Sequence, residues 1–96
     1  ELMQAVLDLY AAGIADGSIY GVGSGGAPAS HVRVFGNMLD AADDLIAAGD
    51  YAGACQQLDH AVAKSDGLGQ PPDFLGGTGV PPLNAMLLDV MDTLGC

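Results

Sequence analysis

Aspartate supplies most of the charged groups of this chain, since eleven of its twelve acidic residues are Asp. Asp40, Asp43 and Asp44 fall at i, i+3 and i+4, which places all three on one face of a helix. A bound Ca²⁺ could relieve their mutual repulsion, but calcium sites need six or more oxygen ligands. The sequence has no loop of alternating Asp and Asn ligands. These three residues are therefore only weak calcium candidates, and we expect a solvated acidic face.

The two histidines, His31 and His60, are the other potential metal ligands and proton carriers. They fall on different predicted helices, and the His-x-x-x-His spacing of a helical zinc site does not occur. The four Met residues occupy core positions of their helices, which disfavours a copper site. No Ser-His-Asp or Cys-His arrangement is legible in the sequence. We expect no catalytic residue, no metal and no cofactor.

Cys55 and the C-terminal Cys96 are the only cysteines. A free thiol at the last residue would be exposed and reactive, so the pair predicts a disulfide formed in an oxidising compartment. Cys55 falls in the first turns of one predicted helix, and Cys96 follows the end of another helix of similar length. Antiparallel packing of these helices would bring the two sulfurs together. We therefore expect a secreted, extracellular or cell-surface protein.

The apolar residues that position these groups recur at i, i+3, i+4 and i+7, which is typical of amphipathic helices. The pattern predicts four helices, at about residues 2–15, 30–48, 51–64 and 82–94. Ser30 and Asp50 suit helix N-caps, and Gly49 suits a helix end. Gly36, inside the second helix, predicts a close helix contact or a kink. We expect an all-α, up-down bundle of four helices in a single domain spanning residues 1–96.

Two long Gly-rich loops interrupt the helices, at residues 17–29 and 66–81. They carry no periodicity and are typical of flexible connectors. In the second loop, the apolar pair Phe74-Leu75 is expected to pin the chain onto the core. Tyr20 and Phe74 are the residues that we expect to be exposed on these loops and to contact a binding partner.

The formal net charge is −10, because only Arg33 and Lys64 oppose the twelve acids. Nucleic acids and anionic membranes bind basic patches, so neither is an expected partner. No apolar run reaches about 18 residues, which argues against membrane insertion. The chain begins at Glu1 without Met and shows no signal peptide. We interpret it as a mature piece or an excised domain, with its export signal upstream.

The middle and the end of the chain share a motif of regularly spaced Leu, Ala and Gly residues with two cysteines. Its residues are Leu39, Ala42, Ile46, Gly49, Asp50, Ala54, Cys55 and Leu58, followed by Leu83, Leu87, Met91, Leu94, Gly95 and Cys96. Over residues 36–96 the chain resembles the FIMAH-like all-helical modules found at the C-termini of bacterial secreted proteins. The resemblance implies a non-catalytic module appended to exported hydrolases and adhesin-like proteins.

We therefore expect a non-catalytic accessory module that serves as a spacer or docking piece of an exported bacterial protein. Its partner would be another protein, the parent catalytic domain or a second copy of the chain. One alternative is a structural subunit of an extracellular assembly or filament. Another is a carbohydrate- or small-ligand-binding module. An enzyme is the least supported function.

Overall fold

The computed structural model describes residues 2–23, 25–65 and 74–96, and helices dominate these ranges. The helices are α1 (Leu2–Asp16), α2 (Ala27–Ala47), α3 (Tyr51–Ala63) and α4 (Val80–Leu94). The predicted all-α class, the four helices and the disulfide are confirmed. The up-down arrangement of the whole bundle stays a prediction.

Two helices begin earlier than the sequence pattern predicted. Helix α2 starts at Ala27 rather than near Ser30, and α4 starts at Val80, two residues before its predicted start. Each has a proline in its first turn and a glycine at the N-cap. Proline suits this position because its fixed φ is helical and its missing N–H would be unpaired there. Part of each Pro- and Gly-rich segment predicted to be a loop is therefore the first turn of a helix.

Helices α2 and α3 pack on each other through a tight connection. Gly49 has a φ of +80°, a conformation that strongly favours glycine. The Asp50 carboxylate accepts a hydrogen bond from the Gly53 N–H at 3.0 Å and so caps α3. The predicted helix end and N-cap are both confirmed.

Helices α3 and α4 run antiparallel, because contacts join opposite ends of the pair. At one end, the Asn84 side-chain amide donates to the Val62 carbonyl at 3.3 Å and to the Ser65 hydroxyl at 3.2 Å. At the other end, the disulfide joins Cys55 to Cys96, whose Cα atoms lie 5.8 Å apart. This is the arrangement that the predicted disulfide required.

The two Gly-rich loops pair with each other. Strand β1 (Tyr20–Gly21) lies antiparallel to strand β2 (Leu75–Gly76), with Tyr20 opposite Gly76. These segments therefore form paired strands, whereas the sequence pattern predicted loops without periodic structure. Residues 24 and 66–73 of the loops lie outside the described residues.

Close packing explains several glycines of the paired loops. A Cβ atom at Gly21 would collide with the Pro28 carbonyl at the start of α2. A Cβ at Gly77 would collide with the Ser18 carbonyl, and the φ of +113° at Gly77 also requires glycine. Backbone segments can approach this closely only where side chains are missing. Gly77 thus allows contact between the two loops, and Gly21 allows β1 to contact the start of α2.

The hydrophobic core lies between the helices and includes one buried side chain from each paired loop. It comprises Met3, Val6, Tyr10, Ile19, Phe35, Leu39, Ala42, Leu58, Ala61, Leu75, Val80, Leu83, Leu87 and Val90. The Phe35 ring centroid lies 5.4 Å from that of Tyr10, which joins α2 to α1. Leu75 is 3 % exposed, so the second loop is pinned to the core as expected.

The two glycines within helices α1 and α2, Gly13 and Gly36, should respond in opposite ways to alanine. A Cβ at Gly13 would collide with the buried Ile19 side chain, so Gly13→Ala should cost about 1–3 kcal/mol through overpacking. A Cβ at Gly36 would lie 3.5 Å from Tyr10 Cε2, an ordinary van der Waals distance. Gly36→Ala should therefore stabilise the protein by about 0.5–1 kcal/mol. Urea unfolding followed by circular dichroism measures both, and equal destabilisation would contradict this expectation.

Candidate functional site

Tyr20, predicted to be exposed, is 53 % exposed and is held on β1. Its ring lies against the glycines of the second loop. Cβ atoms placed on Gly76 and Gly77 would lie 3.1 Å and 3.0 Å from ring carbons. The backbone of these glycines therefore supports the ring while much of it faces solvent. The role of Tyr20 in binding stays a prediction.

Phe74 is partly buried and packs against the core, so the predicted anchoring by the Phe74-Leu75 pair is confirmed and the prediction of an exposed Phe74 is wrong. The His31 ring stacks on it with a centroid distance of 4.1 Å and an interplanar angle of 8°. Lys64 Nζ lies 5.0 Å from the same ring centroid, within cation–π range. The Phe74 N–H also donates to the Lys64 carbonyl at 2.9 Å. Phe74 is thus an anchor of the second loop rather than an exposed contact residue.

The structure places the two histidines in different environments. His31 Nδ1 lies 2.7 Å from the Val22 carbonyl oxygen. Because a carbonyl only accepts, Nδ1 carries the proton of this hydrogen bond. His60 is exposed near the end of α3. The sequence does not reveal the His31–Phe74–Lys64 cluster, because no periodic spacing links residues so far apart in the chain.

The three calcium candidates do not form a ligand set. Asp40 and Asp44 are exposed, while Asp43 is partly buried. Asp43 Oδ1 is buried and lacks a hydrogen-bond partner among the described residues. Within residues 2–23, 25–65 and 74–96, no three His, Cys, Asp or Glu side chains gather as metal ligands would. The three Asp residues share one helix face, but their carboxylates do not converge on one point as metal ligands do.

Asp16 ends α1 and interacts with the first loop. Two hydrogen bonds from Ser18 hold the pKa of Asp16 below its usual range; the side-chain bond has the larger effect and the backbone N–H bond the smaller. The backbone bond from the Ser18 N–H to Asp16 Oδ1 measures 2.8 Å. Since the carboxylate is exposed, this contact orders the turn into β1 rather than creating a reactive group.

An open groove of about 520 Å³ lies between α1 and α2. Its lining residues are Leu7, Tyr10, Ala11, Ile14, Gly36 and Asp40. The Tyr10 hydroxyl donates to the Val32 carbonyl at 2.6 Å, which fixes the ring within the groove. Gly36 has no side chain to fill the space beside that ring. The sequence does not reveal the groove, because the i, i+3, i+4, i+7 spacing of its α1 residues equally predicts a stripe of core residues.

The chain was compared with known proteins in three ways. A scan against protein-family models found no match, and neither did searches of curated proteins and of solved structures. The FIMAH-like relationship therefore stays a proposal. Among residues 2–23, 25–65 and 74–96, no helix is both long enough and apolar enough to cross a bilayer.

Burial raises the pKa of Tyr10 to about 12, against about 10 in an unfolded chain. The unfolded state then releases this proton first, so the stabilisation is complete below about pH 10 and is lost as pH rises to about 12. We expect the free energy of unfolding to fall across that range. Urea titrations at a series of pH values measure this free energy.

Tyr10→Phe is the control, because phenylalanine cannot ionise, although the variant loses a hydrogen bond worth about 1 kcal/mol. An identical pH slope in both proteins would contradict the expectation.

Proposed function

We propose that this chain is a non-catalytic interaction module of an exported bacterial protein. The observation that carries the proposal is the Tyr20 ring, which is 53 % exposed yet supported by the Gly76 and Gly77 backbone. Tyrosine is enriched among residues that dominate binding energy at protein interfaces. A ring that is already held in place loses less conformational freedom on binding.

The disulfide supports the export part of this proposal. Disulfides form and persist mainly in oxidising compartments. The Cys55–Cys96 bridge ties the end of α4 covalently to α3. Such a scaffold suits a docking piece that works outside the cell.

A carbohydrate-binding module is the second candidate. The same Tyr20 ring favours it, because an exposed and supported aromatic face can stack on a sugar ring. A glycan array with the isolated chain and with Tyr20→Ala tests this function. Binding of a sugar that the variant loses would establish it over protein recognition.

Site-specific photo-crosslinking tests the proposed interaction function. The photoreactive amino acid p-benzoylphenylalanine replaces Tyr20 in one variant and Tyr51 in a matched control, since Tyr51 is 51 % exposed on α3. We expect position 20 to form a discrete adduct with one protein in the exported fraction of the producing cells, and position 51 to form none. The same adducts at both positions, or none at either, would overturn the proposal. Tyr20→Ala should change the free energy of unfolding by less than about 1 kcal/mol.

A further inference from the structure

The groove between α1 and α2 leaves apolar side chains open to solvent. Ile14 is 38 % exposed, Leu7 is partly buried, and Ala11 is exposed. The stretch from Leu7 to Ile14 spans two helical turns, or about 11 Å along α1. The groove is therefore long enough to accept two or three apolar side chains of a partner.

Acidic side chains border this groove. Asp40 lines it, and Asp44 falls one turn further along the same face of α2. Both carboxylates are exposed. Arg33, one turn before Gly36, is the single Lys or Arg within α1 and α2. The border consequently carries net negative charge.

Charge and shape together select one class of occupant. A second copy of this chain would bring a further charge of −10 to an acidic surface, and the two copies would repel each other. A small apolar molecule would stay largely in water, because the groove is open whereas ligand pockets bury most of their ligand. A helix with an apolar stripe flanked by Lys or Arg satisfies both the apolar floor and the acidic border.

We infer that this groove binds a basic amphipathic helix of another protein. Apolar side chains of that helix lie against Leu7, Ala11 and Ile14, and its cations face Asp40 and Asp44. Binding needs both components, since the apolar contact supplies the fit and the charges select the partner. The inference does not depend on the contact proposed for Tyr20.

Model peptides test the occupant directly. The probe is a fluorescent peptide of roughly 14 residues with Leu at i, i+3, i+4 and i+7, Lys beside this stripe and Ala elsewhere, a pattern that favours an amphipathic helix. One control peptide has the same composition with the Leu stripe scrambled, and another has Glu in place of Lys. Fluorescence anisotropy at low and high salt should show binding of the Leu–Lys stripe in the micromolar range, weakened about tenfold by salt. The scrambled peptide should bind at least about tenfold more weakly, and the Glu peptide should not bind.

A matched pair of variants locates the binding on the protein. Ala11 and Ala12 are both exposed on α1, but only Ala11 lines the groove. Ala11→Arg should weaken binding of the Leu–Lys peptide by about tenfold or more, whereas Ala12→Arg, with the same change in net charge, should weaken it by about twofold. Equal weakening by the two variants would overturn the inference. Equal binding of the striped and scrambled peptides would overturn it as well, because the attraction would then be only electrostatic.

Discussion

Replacing both Cys55 and Cys96 with serine should lower the free energy of unfolding by about 4 kcal/mol. The bridge closes a loop with a sequence separation of 41 residues, and the chain-entropy model assigns about 3.9 kcal/mol to a loop of this length. Small domains are typically stable by only about 5–15 kcal/mol, so the loss is a large share of the total. Without the bridge, the end of α4 is free to separate from the start of α3. Urea unfolding of the two proteins measures the difference.

Reduction of the unmodified chain is the control for this prediction. A dithiol reductant should shift the unfolding midpoint of the unmodified chain towards that of the double serine variant and leave the variant unchanged. Labelling of the native, unreduced chain with a thiol reagent should find no free cysteine. Free thiols in that sample would show that the bridge is not formed. An unfolding midpoint that the reductant does not move would show that the bridge does not stabilise the protein.

Phe35→Ala should destabilise the protein by about 3–5 kcal/mol. Phe35 has 0 % exposure and is the largest fully buried side chain among the described residues. Its ring contacts the Tyr10 ring, so truncation leaves a cavity between α1 and α2. The surrounding core side chains are close-packed and cannot fully collapse into that space. Thermal and urea unfolding should both report the loss.

Two further variants separate a cavity from other causes. Phe35→Leu keeps an apolar side chain in the same place and should cost less than about 1.5 kcal/mol. Tyr51→Ala removes an aromatic ring that is 51 % exposed and should change stability by less than about 0.5 kcal/mol. If Phe35→Ala cost no more than Tyr51→Ala, Phe35 would not be the centre of the α1–α2 contact.

Local patterns in the sequence predicted the helices and most of their ends. The apolar spacing around Phe35 and Leu39 on α2, and around Ala54 and Leu58 on α3, matches the buried faces of those helices. The turn at Gly49 and the cap at Asp50 also follow from local chemistry. Each of these features depends on residues within one or two helical turns, so the linear sequence contains the whole signal.

The candidate sites were less predictable, because they depend on residues that are distant in the chain. Phe74 becomes an anchor through His31 and Lys64, and no spacing in the sequence connects the three. Tyr20 has the exposure that was expected, but its support comes from a second glycine-rich segment that it meets only in the folded chain. The pairing of β1 with β2 involves two residues from each strand, which is too short for an alternating pattern to appear.

The amino-acid sequence by itself determined the all-α class, the four helices and the pairing of Cys55 with Cys96. Only the tertiary structure decided that the Gly-rich loops contact each other, that His31 stacks on Phe74 and that an open groove lies between α1 and α2 at Gly36. The physical reason is how far apart along the chain the interacting residues lie. Helix formation depends on neighbours three or four residues away, whereas a groove or a supported ring exists only once distant backbone segments have packed.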